Sequence, residues 1–228
     1  MSMDLLQVVQ LLELSRTEQR TSYLTPLKAV ALGKFMELGP ETRVIDFGCA
    51  KGEALLLWAQ YLQISGLGVE LDESFAEIAN ERLASAGLSE RVKVVCADAS
   101  RYFVPPASYD VACCIGASMI WGGFRPTLQA LKRVIVPGGQ IVVGEPYYTK
   151  RPVPPELIDF EGDHHTEYEL FEILNDEGLE LKRIFRASDD DRDWYTALWS
   201  QRGQEMYLKH MRSLEGWAVY LLQPAGEG

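Results

Sequence analysis

The chain has 228 residues, 33 acidic against 22 basic, a formal charge of −11 and 47% hydrophobic residues. It is too apolar for disorder, long enough for one α/β core without disulfide or metal staples, and too acidic for a phosphate-backbone partner, which needs a concentrated Lys/Arg face. The longest uncharged apolar run, from Val111 to Trp121, falls well short of the roughly 20 residues that cross a bilayer, and no basic residue precedes Arg16, so neither a membrane span nor a secretory leader is expected.

In chain order, residues 4–14 place Leu5, Val8, Val9 and Leu12 on one helical stripe. Thr25 and Pro26 read as N-cap and first residue of a helix that runs to about Leu38 and stops at Gly39-Pro40. A strand over 43–47, a helix after Lys51, a strand over 67–70 and a helix over 74–86 follow, with Ser74 and Glu77 in capping-box spacing. Next come strands over 92–96 and 109–115, a helix over 124–136, a Pro137-Gly138-Gly139 turn and a strand over 140–144. Beyond a Pro-rich connection lie a helix over 166–175, a strand over 179–185, a long insertion from Ala187 to Glu215, and a last strand over 217–222. The alternation predicts an α/β, Rossmann-like fold: a seven-stranded, mostly parallel sheet with helices on both faces and an antiparallel last strand. We expect one domain, with 1–40 as a helical cap, 41–145 as the cofactor-binding core and 146–228 as substrate-side elaborations.

Cys49, Cys96, Cys113 and Cys114 show no C-x-x-C spacing and read as reduced, half-buried thiols of a cytoplasmic protein. Residues 151–193 carry 14 acidic and 5 basic side chains. These are either solvated faces or an acidic rim that attracts a cationic substrate.

The strongest motif is VIDFGCAKGE, Val44 to Glu53: an apolar strand ends in Asp46, turns through Gly48 and Gly52, and enters a helix. Ligands of open α/β sheets bind at the carboxyl ends of strands, where glycine lets the backbone approach closely. A dinucleotide G-x-G-x-x-G would need glycine at Ala50 and Glu53, and an acid at Glu53 repels a pyrophosphate; a P-loop needs G-K-[ST], which is missing. An adenosyl sulfonium cofactor fits better, having no phosphate and a cationic centre. Glu70 closes the second strand, placed to accept both ribose hydroxyls, and Leu71 follows as a surface for a flat base. Asp98 closes the third strand, placed for an exocyclic amine, with the Ala99 N–H for a ring nitrogen, while Asp46 faces the cationic end.

Asp46-Phe47-Gly48-Cys49-Ala50-Lys51-Gly52 resembles the glycine-rich motif of class I S-adenosylmethionine-dependent methyltransferases. Glu70 stands at that family's ribose-binding acid and Asp98-Ala99 at its adenine contact; 109–123 is similar to the fourth strand and following loop of small-molecule members of the ubiquinone-biosynthesis type. The resemblance covers about Val44 to Glu145 and implies S-adenosyl-L-methionine as cofactor, with Ile115 and Gly116 completing its site. The family usually has glycine at Ala50; if the turn needs a left-handed backbone at that position, alanine is penalised.

The resemblance implies in-line methyl transfer, driven largely by positioning, to a small-molecule acceptor; a general base is optional. Gly116-Ala117-Ser118 stands where the amino-methylating subset has [DN]-P-P-[YF], and the proline-cysteine nucleophile of pyrimidine C5 methylation is missing. Ser118, Trp121, Tyr147, Trp194 and Tyr195 are expected at the acceptor, with Trp199 beside them; Glu145, His164 and His165 are the candidates for a base. Tyr23 and the N-terminal helix are placed to close the site from the other side, and no metal site is expected. Cofactor binding without turnover and, behind it, nicotinamide-dependent oxidoreduction are the alternatives. Neither nucleic acid nor membrane is expected as partner, and the chain is expected as a monomer or homodimer.

Overall fold

The computed structural model describes residues 10–11 and 22–226. The amphipathic stretch over 4–14 therefore lies outside the described residues except for Gln10 and Leu11.

Seven strands form one sheet in the order β3-β2-β1-β4-β5-β7-β6: β1 (Arg43–Phe47), β2 (Ser65–Glu70), β3 (Val92–Cys96), β4 (Tyr109–Ile115), β5 (Ile135–Tyr148), β6 (Leu179–Arg186) and β7 (Glu215–Pro224). β1 pairs parallel with β2 on one side and β4 on the other, while β7 runs antiparallel to both β5 and β6. The strand order reverses at β1 and β4, which opens a crevice at their carboxyl ends. Because β7 is antiparallel to its two neighbours, β6 points the same way as β5 and delivers the following insertion to that same edge.

Successive residues of a strand face opposite sides, so Val44 and Cys113 feed one apolar layer and Ile45, Ala112 and Cys114 the other. The first layer is closed by α1 (Pro26–Phe35), α2 (Glu53–Leu62) and α3 (Glu73–Ser85); the second by α4 (Phe124–Val134) and α6 (Glu167–Asp176). Gly33 permits α1 to approach α2, since a Cβ there would lie 2.8 Å from the Trp58 ring; the buried Trp58 indole donates to Ala29 O at 2.7 Å. Thr25 caps α1 as expected, its Oγ1 accepting from Lys28 N, with Pro26 following. The N-cap of α3 is Asp72 rather than Ser74: Asp72 accepts from Phe75 N, and the Ser74 hydroxyl donates to the same carboxylate. The Pro137-Gly138-Gly139 turn sits inside β5 as a register shift against β4. Cys49, Cys113 and Cys114 are buried, whereas Cys96 is exposed, because β3 is the sheet edge.

Between β5 and β6, α5 (Pro155–Glu161) precedes α6. The insertion after β6 folds as α7 (Asp189–Thr196), α8 (Gln201–Met206), a π-turn over Tyr207–Met211 and α9 (Arg212–Leu214). Ser188 and Asp191 form a reciprocal capping box at the start of α7, and Lys28 of α1 bonds Asp191 and the Arg186 carbonyl, tying the insertion to the N-terminal side.

Candidate active site

The chain leaves β1 through three left-handed residues, Gly48 (φ 68°), Ala50 (φ 47°) and Gly52 (φ 69°), before entering α2. A Cβ on Gly48 would stand 2.6 Å from that of Ala117, so the loop after β4 seats directly on this bend. Ala50 holds the conformation that glycine adopts freely, at a cost of about 1 kcal/mol. An anchor offsets it: Ala50 N–H donates to Glu70 Oε2 at 2.7 Å, while Asp72 N–H donates to Glu70 Oε1 at 3.0 Å. Glu70 thus fixes both the bend and the start of α3. A carboxylate has about four lone-pair positions, so these two bonds leave acceptor capacity for ligand hydroxyls.

Asp46 is 3% exposed and its Oδ1 has no partner. Burial, then the neighbouring Glu70 charge, push its carboxyl up to about 7. It borders a cavity of about 130 Å³ together with Gly48, Ala50, Glu53, Ile115 and Gly116, closed from the N-terminal side by Ser22 and Leu24. Next along the sheet, β2 and β3 end in a more open ledge. Leu71 is 72% exposed; Asp98 is exposed, and its carboxylate accepts from Ser100 N and Oγ, which holds it below the usual carboxylate range. Ala99 is buried beside it, and Ala97 N–H bonds Glu70 O, joining the two strand ends.

A second cavity of about 480 Å³ adjoins the first, and Gly116 borders both. Its walls are Tyr23, Trp199, Tyr207 and Trp217; its polar groups are Glu145, Glu161, Glu215, His164 and Arg192, with Ser118 at the β4 end. Glu145 accepts from the Ser118 hydroxyl at 3.1 Å through Oε2, while Oε1 is buried without a partner; burial raises its carboxyl to about 7. Glu215 Oε1 and His164 Nε2 are also buried without partners. Burial, then Glu161, raise Glu215 to about 8, and burial lowers His164. The Arg192 guanidinium, 6% exposed, donates to Glu215 O at 2.7 Å and Met211 O at 2.8 Å, which fixes the insertion over the cavity. The Tyr207 hydroxyl donates to Asp193 at 2.6 Å. Tyr23 packs between Tyr195 (4.8 Å) and Trp217 (5.6 Å), so 22–24 lie astride both cavities.

Of the expected acceptor residues, Ser118 and Trp199 line the larger cavity, but Trp121, Tyr147, Trp194 and Tyr195 do not. Trp121 packs edge-on to Phe47, at 5.2 Å, because the short turn after β4 directs it back to the sheet. Tyr147 lies across Gly216, its antiparallel partner, within the layer that holds Leu170 and Tyr220. Of the expected bases, Glu145 and His164 line the cavity; His165 is exposed and contributes its carbonyl to Tyr148 N–H. Glu161, Glu215, Arg192 and Tyr207 were not anticipated. The usable signal for Glu215 was its place at the start of the last strand, on the cofactor edge. Among the described residues no group of three or more His, Cys, Asp or Glu is arranged to hold a metal ion, and no helix is long and apolar enough to cross a membrane.

Residues 44–139 match the family model described as "Methyltransferase domain". The YjhP protein of Escherichia coli (strain K12) is 31% identical over 198 residues, covering 84% of this chain and 79% of that protein. A methyltransferase of Geobacter sulfurreducens, solved with S-adenosyl-L-homocysteine, superposes with a TM-score of 0.82 at 27% identity, covering 94% of this chain and 98% of that one. One from Thiobacillus denitrificans, solved with the same ligand, gives 0.80 at 27% identity, covering 97% and 99%.

Proposed function

Since this chain belongs to the class I S-adenosylmethionine-dependent methyltransferases, we propose that its methyl acceptor is a small molecule held in the cavity of about 480 Å³. The observation that carries this reading is Gly116, which borders that cavity and the cofactor-side cavity alike. The volume falls in the range of roughly 300–1,000 Å³ usual for small-molecule sites. Arg192, Trp199, Tyr207 and Met211, from α7 to the π-turn, line one side of the cavity.

The residues present fit S-adenosyl-L-methionine. Asp46 presents an unpartnered buried oxygen to the small cavity, where a cationic group satisfies it. Glu70 has acceptor capacity for ribose hydroxyls, Leu71 an exposed apolar surface for a base, and Asp98 with Ala99 the polar edge beside it. Cys49 sits in the same bend as a buried spacer, with burial pushing its thiol up and away from reactivity. When bound, the cofactor supplies a methyl group on a cationic sulfur. The protein's own work is to orient the acceptor near Gly116, to exclude water with the aromatic walls, and to hold a proton at Glu145. The chemistry of the family, with the glycine spacing, sets aside the nicotinamide alternative.

The test is S-adenosylhomocysteine formation after a cell extract is split by dialysis. Turnover with the dialysable fraction is expected; turnover confined to the retained macromolecules would overturn the proposal.

A further inference from the structure

We infer that the acceptor is a small amine, docked as its ammonium ion among Glu145, Glu161 and Glu215 within the aromatic walls of the larger cavity. This rests on the small-molecule reading above.

The cavity sets three carboxyl groups against one guanidinium. Arg192 spends two of its five N–H donors on the carbonyls of Glu215 and Met211, and its single positive charge leaves the three carboxyl groups in excess. Glu145 is 7% exposed and Glu215 5%, and each keeps one buried oxygen with no donor. Buried acceptors without donors are costly, and the ligand that removes the cost must bring several N–H groups. An ammonium brings up to three donors and a positive charge. A hydroxyl brings one donor and no charge, and a carboxylate or phosphate brings neither while adding repulsion. Tyr23, Trp199, Tyr207 and Trp217 supply the π faces that favour a desolvated cation. His164, which burial keeps neutral, adds no competing charge. The net charge of −11 draws cations toward the protein.

Glu145 is the group placed to handle the proton. It follows Gly144, whose carbonyl accepts from Gly116 N–H at 2.9 Å, so it adjoins the point where the two cavities meet. The docked ammonium gives one proton to the Glu145 carboxylate, which frees the nitrogen lone pair. The lone pair then takes the methyl group, a C–N bond forming as the C–S electron pair returns to sulfur, and the product leaves as the methylated ammonium. Glu161 and Glu215 stay beside the product ammonium, whose positive charge favours their ionised forms.

The test is calorimetry on the protein saturated with S-adenosylhomocysteine, using benzylamine and cyclohexylamine against benzyl alcohol and benzoate. Both amines are expected to bind at least tenfold more tightly than the alcohol, with benzoate silent. The double variant Glu161→Gln, Glu215→Gln is expected to lose at least tenfold in amine affinity, while its circular dichroism and its affinity for S-adenosylhomocysteine stay unchanged. Alcohol or benzoate binding as well as the amines, no binding by either amine, or amine affinity unaltered in the double variant each overturns the inference. The isostere comparison uses the unaltered protein and stands if the variant fails to fold. Methylation of neutral or acidic small molecules with amines inert would remove the amine and leave the small-molecule reading; turnover confined to retained macromolecules would remove that reading itself.

Discussion

Glu70→Ala separates two roles that the structure assigns to one carboxylate. Glu70, 9% exposed, accepts from Ala50 N–H at 2.7 Å and Asp72 N–H at 3.0 Å. A hydrogen bond to a charged acceptor contributes about 1.5–3 kcal/mol, and both donors are partly reachable by water, so we expect a net loss of about 2–3 kcal/mol in the absence of ligand. For a chain of this length that is roughly 5–10 °C in melting temperature. In the proposed cofactor placement Glu70 also accepts from the ribose hydroxyls, and on that placement its loss should weaken S-adenosylhomocysteine by about 1.5–3 kcal/mol, roughly ten- to a hundredfold. Glu70→Gln, which keeps one acceptor oxygen, should fall between. Thermal melts of the ligand-free protein read the first effect and calorimetric titration the second. An unchanged melting temperature would mean that the carboxylate does not hold the bend around Ala50; an unchanged affinity would remove Glu70 from the cofactor cleft.

Asp46→Asn should stabilise the ligand-free protein by about 1–3 kcal/mol near pH 8, since it removes a buried carboxylate, while weakening S-adenosylhomocysteine about tenfold; urea unfolding and calorimetry check both, and unaltered affinity contradicts the role given to Oδ1. Asp46 and Glu145, raised to about 7, and Glu215, raised to about 8, keep protons in the folded state that the unfolded chain releases above its ordinary carboxyl range. Their stabilising effect is present at low pH and is lost as pH rises from about 4 toward 8, at about 3–5 kcal/mol each. Unfolding curves should therefore show falling stability over that interval, with a shallower slope in Glu145→Gln; a slope identical in that variant counts against the assignment. Gly48→Ala combines a positive φ with a Cβ 2.6 Å from that of Ala117. It should cost about 2–4 kcal/mol, and a wild-type melting curve would contradict the close approach of the two loops.

The gathering of Asp46, Glu70 and Asp98 at one sheet edge was legible because it is built from strand ends. Asp46, Glu70 and Asp98 each follow an apolar run, and parallel pairing necessarily brings such ends to one edge. The reversal of β7 was likewise readable from the length of the connection before it. What the pattern did not carry was the second role of Glu70, because the backbone donors it satisfies lie 20 residues apart from it or beyond a turn. The cap of α3 fell to Asp72 over Ser74 because a carboxylate can accept from both the backbone N–H and the serine hydroxyl. The acceptor side was read least well. Trp121 and Tyr147 were expected at the cavity from their position after strand ends, but whether an aromatic faces a pocket or the sheet depends on a single turn. Glu161 and Glu215 meet only because α5, the insertion and β7 converge, a contact between segments 54 residues apart that no local periodicity reports.

The account rests on the cofactor and acceptor cavities meeting at Gly116. A crystal structure with S-adenosylhomocysteine tests it most directly. The ribose hydroxyls should lie on Glu70 and the amino group beside Asp46, with the sulfur next to Gly116 and turned toward Glu145. A ligand whose sulfur faces away from the cavity of about 480 Å³, or whose ribose lies off Glu70, would contradict it.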